Sequence, residues 1–217
     1  MDDFKVFITN LGKYNEGHLL GEWVTLPTTR EELKEAFKRI GIGQKDDFGH
    51  PYEEWFITDY EVPSCVSDEY NQLGEYEDLD LLNYFAARLD EMEDSELDVY
   101  EAVLEAGFSG ATDLVGLINL TFNLDSYELI SDADDDDALG TIMFDELYSE
   151  EELGQLASYI DYERYGRDIR LEEGGRFTSK GYIRESEYME NEFNGIEDVP
   201  EDFLVIRKPE DQHRKEV

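Results

Sequence analysis

The sequence predicts an α+β protein built from three small modules in a row, and three observations predict it. Strand-like and helix-like segments are mixed at both ends of the chain. The middle reads as helix alone. Apolar residues, 40% of the 217 including 13% aromatic, are spread through all three stretches. That much core-forming material separates the chain from disordered polyanions. The length fits one large domain or two to three small ones, and small modules have modest cores.

Residues 4–9 (FKVFIT) are β-prone and partly alternating, which predicts a first strand, and EWVTL at 22–26 predicts a second. Thr29 and Glu32 stand at capping-box spacing. Leu33, Ala36, Phe37 and Ile40 follow at i, i+3, i+4 and i+7, and Gly41 ends the predicted helix. Residues 55–60 (WFITDY) predict a third strand ahead of Pro63. Together these make an N-terminal α+β domain over residues 1–64.

Residues 65–125 read as an acidic helical domain. Leu79, Leu82, Phe85, Ala86, Leu89 and Met92 trace one apolar face, with Asp80, Asp90, Glu91 and Glu93 expected on the wet side. Ser95 and Asp98 have N-cap spacing for a second helix carrying Val99, Val103 and Leu104, which Gly107 and Gly110 break. A third helix is expected around Asp113 to Phe122.

Residues 126–184 return to α+β patterning. A short strand is expected near Tyr127–Ile130, then a helix through Ile142 to Leu147. Ser149 and Glu152 repeat the capping-box spacing ahead of Leu153, Leu156, Ala157 and Ile160. RDIRLEE and GRFTSKGYIRE read as two strands joined by a turn at Gly174–Gly175. Residues 185–217 are polar, contain Pro200 and Pro209, and are expected to form an extension with one short ordered part, DFLVIRK, and a loose tail.

Charge is the dominant feature. The chain holds 56 acids against 18 bases, a formal net charge of -38. Self-repulsion on that scale works against compactness, so it needs a reason. It also argues against direct binding to nucleic acid or anionic lipid, both polyanions. Seven bases lie in residues 1–45 and ten in 164–217. Between them, residues 46–163 hold 35 acids and the single base Arg88, a net of 34 negative charges. A DNA duplex carries one charge per roughly 1.7 Å, so this excess matches about 17 base pairs, or roughly 58 Å of duplex. Ordinary soluble surfaces mix both signs. A salt-adapted surface is the main competing explanation, and the clustering of bases at the two ends stands against it.

Other chemistries find little support. Cys65 is the only cysteine, so no intramolecular disulfide forms, and a free thiol fits a reducing compartment. The N-terminal MDDFKVFITN lacks the pattern of a signal peptide, and no apolar run approaches a membrane span. These features predict a cytoplasmic protein. A calcium loop beginning at Asp132 would place Asp134 and Asp136 correctly, yet Asp137 stands where glycine is needed and Met143 where glutamate is needed. His18, His50 and His213 have no metal-ligand spacing. No nucleophile elbow, phosphate-binding loop or dinucleotide fingerprint occurs, and with 56 acids any pair of carboxylates is uninformative. The expectation is a non-enzyme with no cofactor and no metal.

Three stretches resemble the antirestriction protein ArdA family: ITNLGKYNEGHLLGEWVTLP (8–27), EEWFITDYEVP (53–63) and ASYIDYERYGRDI (157–169). The resemblance covers residues 1 to about 184, and the first and third stretches carry most of it. It implies a cytoplasmic protein of conjugative elements that mimics DNA. Such a protein occupies the DNA groove of the methyltransferase core of type I restriction–modification enzymes. It also implies an elongated array of three small domains, forming a homodimer through the third. The middle looks longer than in the family, and residues 185–217 run past the family's end.

Carried onto this chain, the expected partner-binding surface is distributed. It comprises Asp80, Asp90, Glu91, Glu93, Asp94, Glu96, Asp98, Glu101, Glu105 and Asp113, then Asp132, Asp134, Asp135, Asp136, Asp137, Asp145, Glu146, Glu150 and Glu151. The resemblance marks Tyr159, Ile160, Asp161, Tyr162, Tyr165, Gly166, Arg167 and Asp168 as dimerisation or antirestriction-motif territory. The alternative function is an acidic chaperone or adaptor for a basic nucleic-acid-binding protein, which needs the charge without a duplex-like layout.

Overall fold

The computed structural model describes residues 3–66, 73–108, 111–148 and 159–208. The fold is α+β, with short helices and two three-stranded antiparallel sheets. The chain divides into two compact units: residues 1–92, 111–119 and 191–217 form the first, and residues 93–110 and 120–190 the second. Among the described residues, no helix is long and apolar enough to cross a membrane.

The first unit opens with β1 (Phe4–Asn10), α1 (Leu11–Asn15), β2 (Gly21–Leu26), α2 (Arg30–Arg39) and β3 (Trp55–Glu61). β1 lies between its two neighbours, with Val6 opposite Val24 on β2 and Ile8 opposite Ile57 on β3. The period of two buries Phe4, Val6 and Ile8. Thr29 caps α2, and both halves of its capping box with Glu32 are formed. Leu33, Ala36 and Ile40 are buried behind it. Gly41 then takes φ +80°, which a helix cannot continue through.

α3 (Leu79–Asp90), capped by Asp78, buries Leu79, Leu82, Phe85 and Leu89. Phe85 meets Phe4 edge-on at 6.0 Å, so α3 shares its core with the N-terminal sheet. α4 (Asp94–Ala106) belongs to the second unit, and α5 (Leu114–Leu120) falls almost wholly in the first. The helices expected in one middle domain are therefore shared between the two units. α4 also starts differently from expectation. Its cap is Glu93, which forms a capping box with Glu96, in place of Ser95 and Asp98. Gly107, at φ +65°, ends it as expected.

The second unit continues with β4 (Tyr127–Ile130), α6 (Asp136–Leu147), α7 (Tyr162–Glu173), β5 (Arg176–Thr178) and β6 (Gly181–Glu185). β6 is central, pairing Ile183 with Leu129 of β4 and Tyr182 with Phe177 of β5. Ala133, Leu139 and Tyr182 form the core, packed by Ile130, Ile142, Met143, Ile169 and Phe177. RDIRLEE is helical, which corrects the expected strand. Asp161 accepts the N–H of Arg164 and starts α7, and Gly174, at φ +71°, stops it. The hairpin turn accordingly falls at Ser179–Lys180, between β5 and β6. Of the helix expected from Ser149 through Ile160, residues 149–158 lie outside the described residues, and Ile160 is not helical.

The C-terminal extension is ordered well beyond the short part expected. Turns of 3₁₀ helix run at Ile196–Asp198 and Glu201–Phe203, and Phe193, Val199, Leu204 and Val205 are buried in the first unit. The Tyr84 ring of α3 packs against Phe193 at 5.6 Å and Phe203 at 5.4 Å. Residues 209–217 lie outside the described ones.

Candidate acidic interaction surface

Helix amphipathicity puts the acids outside. α4 buries Tyr100, Ala102, Val103, Leu104 and Ala106, which leaves Glu93, Asp94 and Glu96 exposed at its start. The run Asp132–Asp137 leads into α6, with Asp132, Asp134, Asp135 and Asp137 exposed. Asp145 and Glu146 are exposed at the far end of that helix. In the first unit, Asp90, Glu91 and Asp113 are exposed. Glu150 and Glu151 lie outside the described residues.

Several acids also have local work. Asp135 accepts the Ala138 N–H at 2.8 Å, and Asp113 accepts the Gly116 N–H at 2.8 Å. Both cap the starts of helices, where the dipole favours negative charge. Asp136 is half-buried and takes two hydrogen bonds from the Arg170 guanidinium, at 2.8 and 3.1 Å. Those bonds hold its carboxyl below the usual aspartate range. Glu105 accepts from the Ser179 N–H and hydroxyl. Lys180 reaches Asp98 at 2.7 Å and Glu101 at 3.1 Å. These three acids of α4 pin the β5–β6 turn.

Asp80 departs from expectation outright. It is fully buried, not wet. Its carboxylate accepts the N–H groups of Val205 at 2.5 Å, Ile206 at 2.6 Å and Arg207 at 3.1 Å, with the Arg207 guanidinium at 3.0 Å. Burial of a carboxylate is tolerated when its lone pairs are filled in this way. It is therefore withdrawn from the partner-binding surface.

Four of the ten bases that cluster after residue 163 serve the second unit internally. Besides Arg170 and Lys180, Arg184 joins Glu128 and Glu173, and Arg176 donates to the Ala106 carbonyl. Sequence reasoning missed all four as staples. The signal available was their position next to an acidic middle nearly devoid of bases.

The motif residues 159–168 have distinct environments. Tyr159 is 84% exposed and Ile160 half-buried. Asp161 caps α7, and Tyr162 and Tyr165 meet the Phe144 ring of α6 edge-on at 5.4 and 5.7 Å. Gly166 is buried against α6, where a Cβ would strike the Asp136 carbonyl, and a Cβ on Gly140 would strike the Tyr162 carbonyl. The two glycines let the helices meet backbone to backbone. Arg167 and Asp168 are exposed.

Among the described residues, no group of three or more His, Cys, Asp or Glu side chains is arranged to hold a metal ion. The carboxylates at 135 and 136 are turned to a helix start and to Arg170.

A family model described as "Antirestriction protein (ArdA)" matches residues 6–184. No curated protein matches the chain.

Proposed function

The chain belongs to the ArdA family of antirestriction proteins, and from that premise we propose that it acts as a DNA mimic on type I restriction–modification enzymes. Its exposed carboxylates enter the Lys/Arg-lined DNA groove of the methyltransferase core and exclude the duplex. A groove that gains from neutralising phosphates and releasing counterions gains in the same way from an array of carboxylates. The attraction is long-ranged at low salt, so association is fast and steered. Tyr159–Asp168 serve a homodimer or the contact with the enzyme, and no catalytic step is involved.

The observation that carries this reading is the 118-residue stretch 46–163 with 35 acids and one base. The test is protection of unmodified phage DNA in a host carrying a type I system. Expression of the chain should restore plating. Substituting any single exposed acid of Asp132–Asp137 by its amide should change protection little, whereas neutralising the exposed Glu93, Asp94, Glu96, Asp132, Asp134, Asp137, Asp145 and Glu146 together should abolish it. Loss of protection from one conservative substitution, with the fold intact, would point to a discrete contact and against a distributed mimic.

A further inference from the structure

Three side chains of the first unit are nine-tenths or more buried and direct polar atoms at the extension. Asn119 of α5 accepts the N–H groups of Glu192 at 3.0 Å and Phe193 at 2.9 Å, and donates to the Phe193 carbonyl at 2.6 Å. Asn83 of α3 donates to the Phe203 carbonyl at 3.1 Å, while its oxygen accepts the Thr28 N–H at 2.7 Å. Asp80 gathers the three N–H groups of residues 205–207. Arg30 of α2 completes the set by donating to the carbonyls of Leu204 and Arg207. Nearly every one of these bonds is to main chain of the extension. Beside them, Phe193 and Phe203 cover Tyr84, and Arg207 reaches Asp78 at 2.5 Å and Asp80 at 3.0 Å.

We infer that α3, α5 and the start of α2 form a peptide-binding groove, and that residues 192–207 are its ligand, bound in cis as a permanent strap. The groove reads the strap's main chain through two amides and a carboxylate, and has a subsite for one arginine at Asp78 and Asp80. The groove residues lie within the stretch 6–184 that the family model matches, and the strap lies beyond it. With the groove empty, the buried Asp80 carboxylate would lose its four bonds to the strap. Asn119 and Asn83 would lose the ones they make to the strap, keeping those to Val115 and Thr28. Both losses are unfavourable, most so for the carboxylate. The strap is thus part of the first unit's fold. It also fixes exposed Glu192, Glu197, Asp198, Glu201 and Asp202 on that unit.

Hydrogen exchange on the full chain tests this. The amides of Phe193, Val205, Ile206 and Arg207 should exchange at least about 100-fold more slowly than in a free peptide of residues 190–208, on a par with α3. Asp80→Asn turns an acceptor toward donors it can no longer all satisfy. It should bring the amides of 205–207 to within about tenfold of the free peptide while β4–β6 of the second unit stay protected. Free-peptide exchange of these amides in the unsubstituted chain, with α3 protected, would overturn the inference. So would undiminished protection in both Asp80→Asn and Asn83→Ala. Should Asp80→Asn unfold the first unit, the unsubstituted chain alone still decides.

Discussion

Asp136 carries the same charge as its neighbours in the run 134–137 but does a different job. Arg170 holds it with two hydrogen bonds, and its carboxyl titrates below the ordinary aspartate value. A folded-state value below the unfolded one means stability that is present at neutral pH and lost as pH falls through the lowered value. Asp136→Asn should therefore lower the unfolding free energy by about 1 kcal/mol at pH 7, with a smaller difference near pH 3. Urea titrations at both values check it, and an equal difference at both would contradict it. Individual roles of this kind were only partly legible in the sequence. The Thr29–Glu32 capping box lies within four residues and was read correctly. The burial of Asp80 was not legible, because its main-chain partners lie 125 to 127 residues downstream. Helical periodicity put Asp80 on the wet side, away from the stripe that Leu79 begins, and it is the strap that covers it.

Elements were legible wherever a local signal settled them. The strands at Phe4–Asn10, Gly21–Leu26, Trp55–Glu61 and Tyr127–Ile130 coincide with the β-prone runs, α2 and α3 follow the 3.6-residue spacing, and α6 covers the helix expected through Ile142 to Leu147. α7 did not read as a helix because RDIRLEE alternates over a few residues and a Gly-Gly pair follows. The overlooked signals were Asp161 at the N-cap and the spacing of Tyr162, Tyr165 and Ile169, which face α6 or the core. Gly174 marks the end of that helix, not a hairpin turn. What holds α7 in place is the close approach at Gly140 and Gly166, and a methyl group there has only backbone to push against. Gly166→Ala should destabilise the second unit by about 1–3 kcal/mol, the usual effect of overpacking. The check is exchange of the β4–β6 amides, which should quicken while those of β1–β3 do not. Unchanged exchange in the second unit would show that the helices can part without loss.

At the scale of the whole molecule, composition and family-like sequence together conveyed the feature on which the proposed mimicry rests. The charge excess, the near absence of bases between residues 46 and 163, and three short stretches of family-like sequence all point the same way, and the family model matches residues 6–184. Composition could not distinguish acids that staple the fold from acids that stay in solvent. Asp98, Glu101, Glu105 and Asp136 hold bases or backbone of their own unit, whereas Asp132, Asp134, Asp137, Asp145 and Glu146 are exposed. It is the exposed set that matters to the proposed mimicry. The most direct measurement is competition. A type I methyltransferase core is bound to labelled duplex, and the full chain is titrated in at 50 and 200 mM salt. The chain's own Kd is extracted against that of the duplex at each salt. Mimicry predicts displacement near stoichiometric amounts at low salt, and a Kd that weakens on the order of 10³-fold or more at the higher salt, as for a ligand making many phosphate-like contacts. Duplex that stays bound under a large excess of the chain, in several such enzymes, would contradict it.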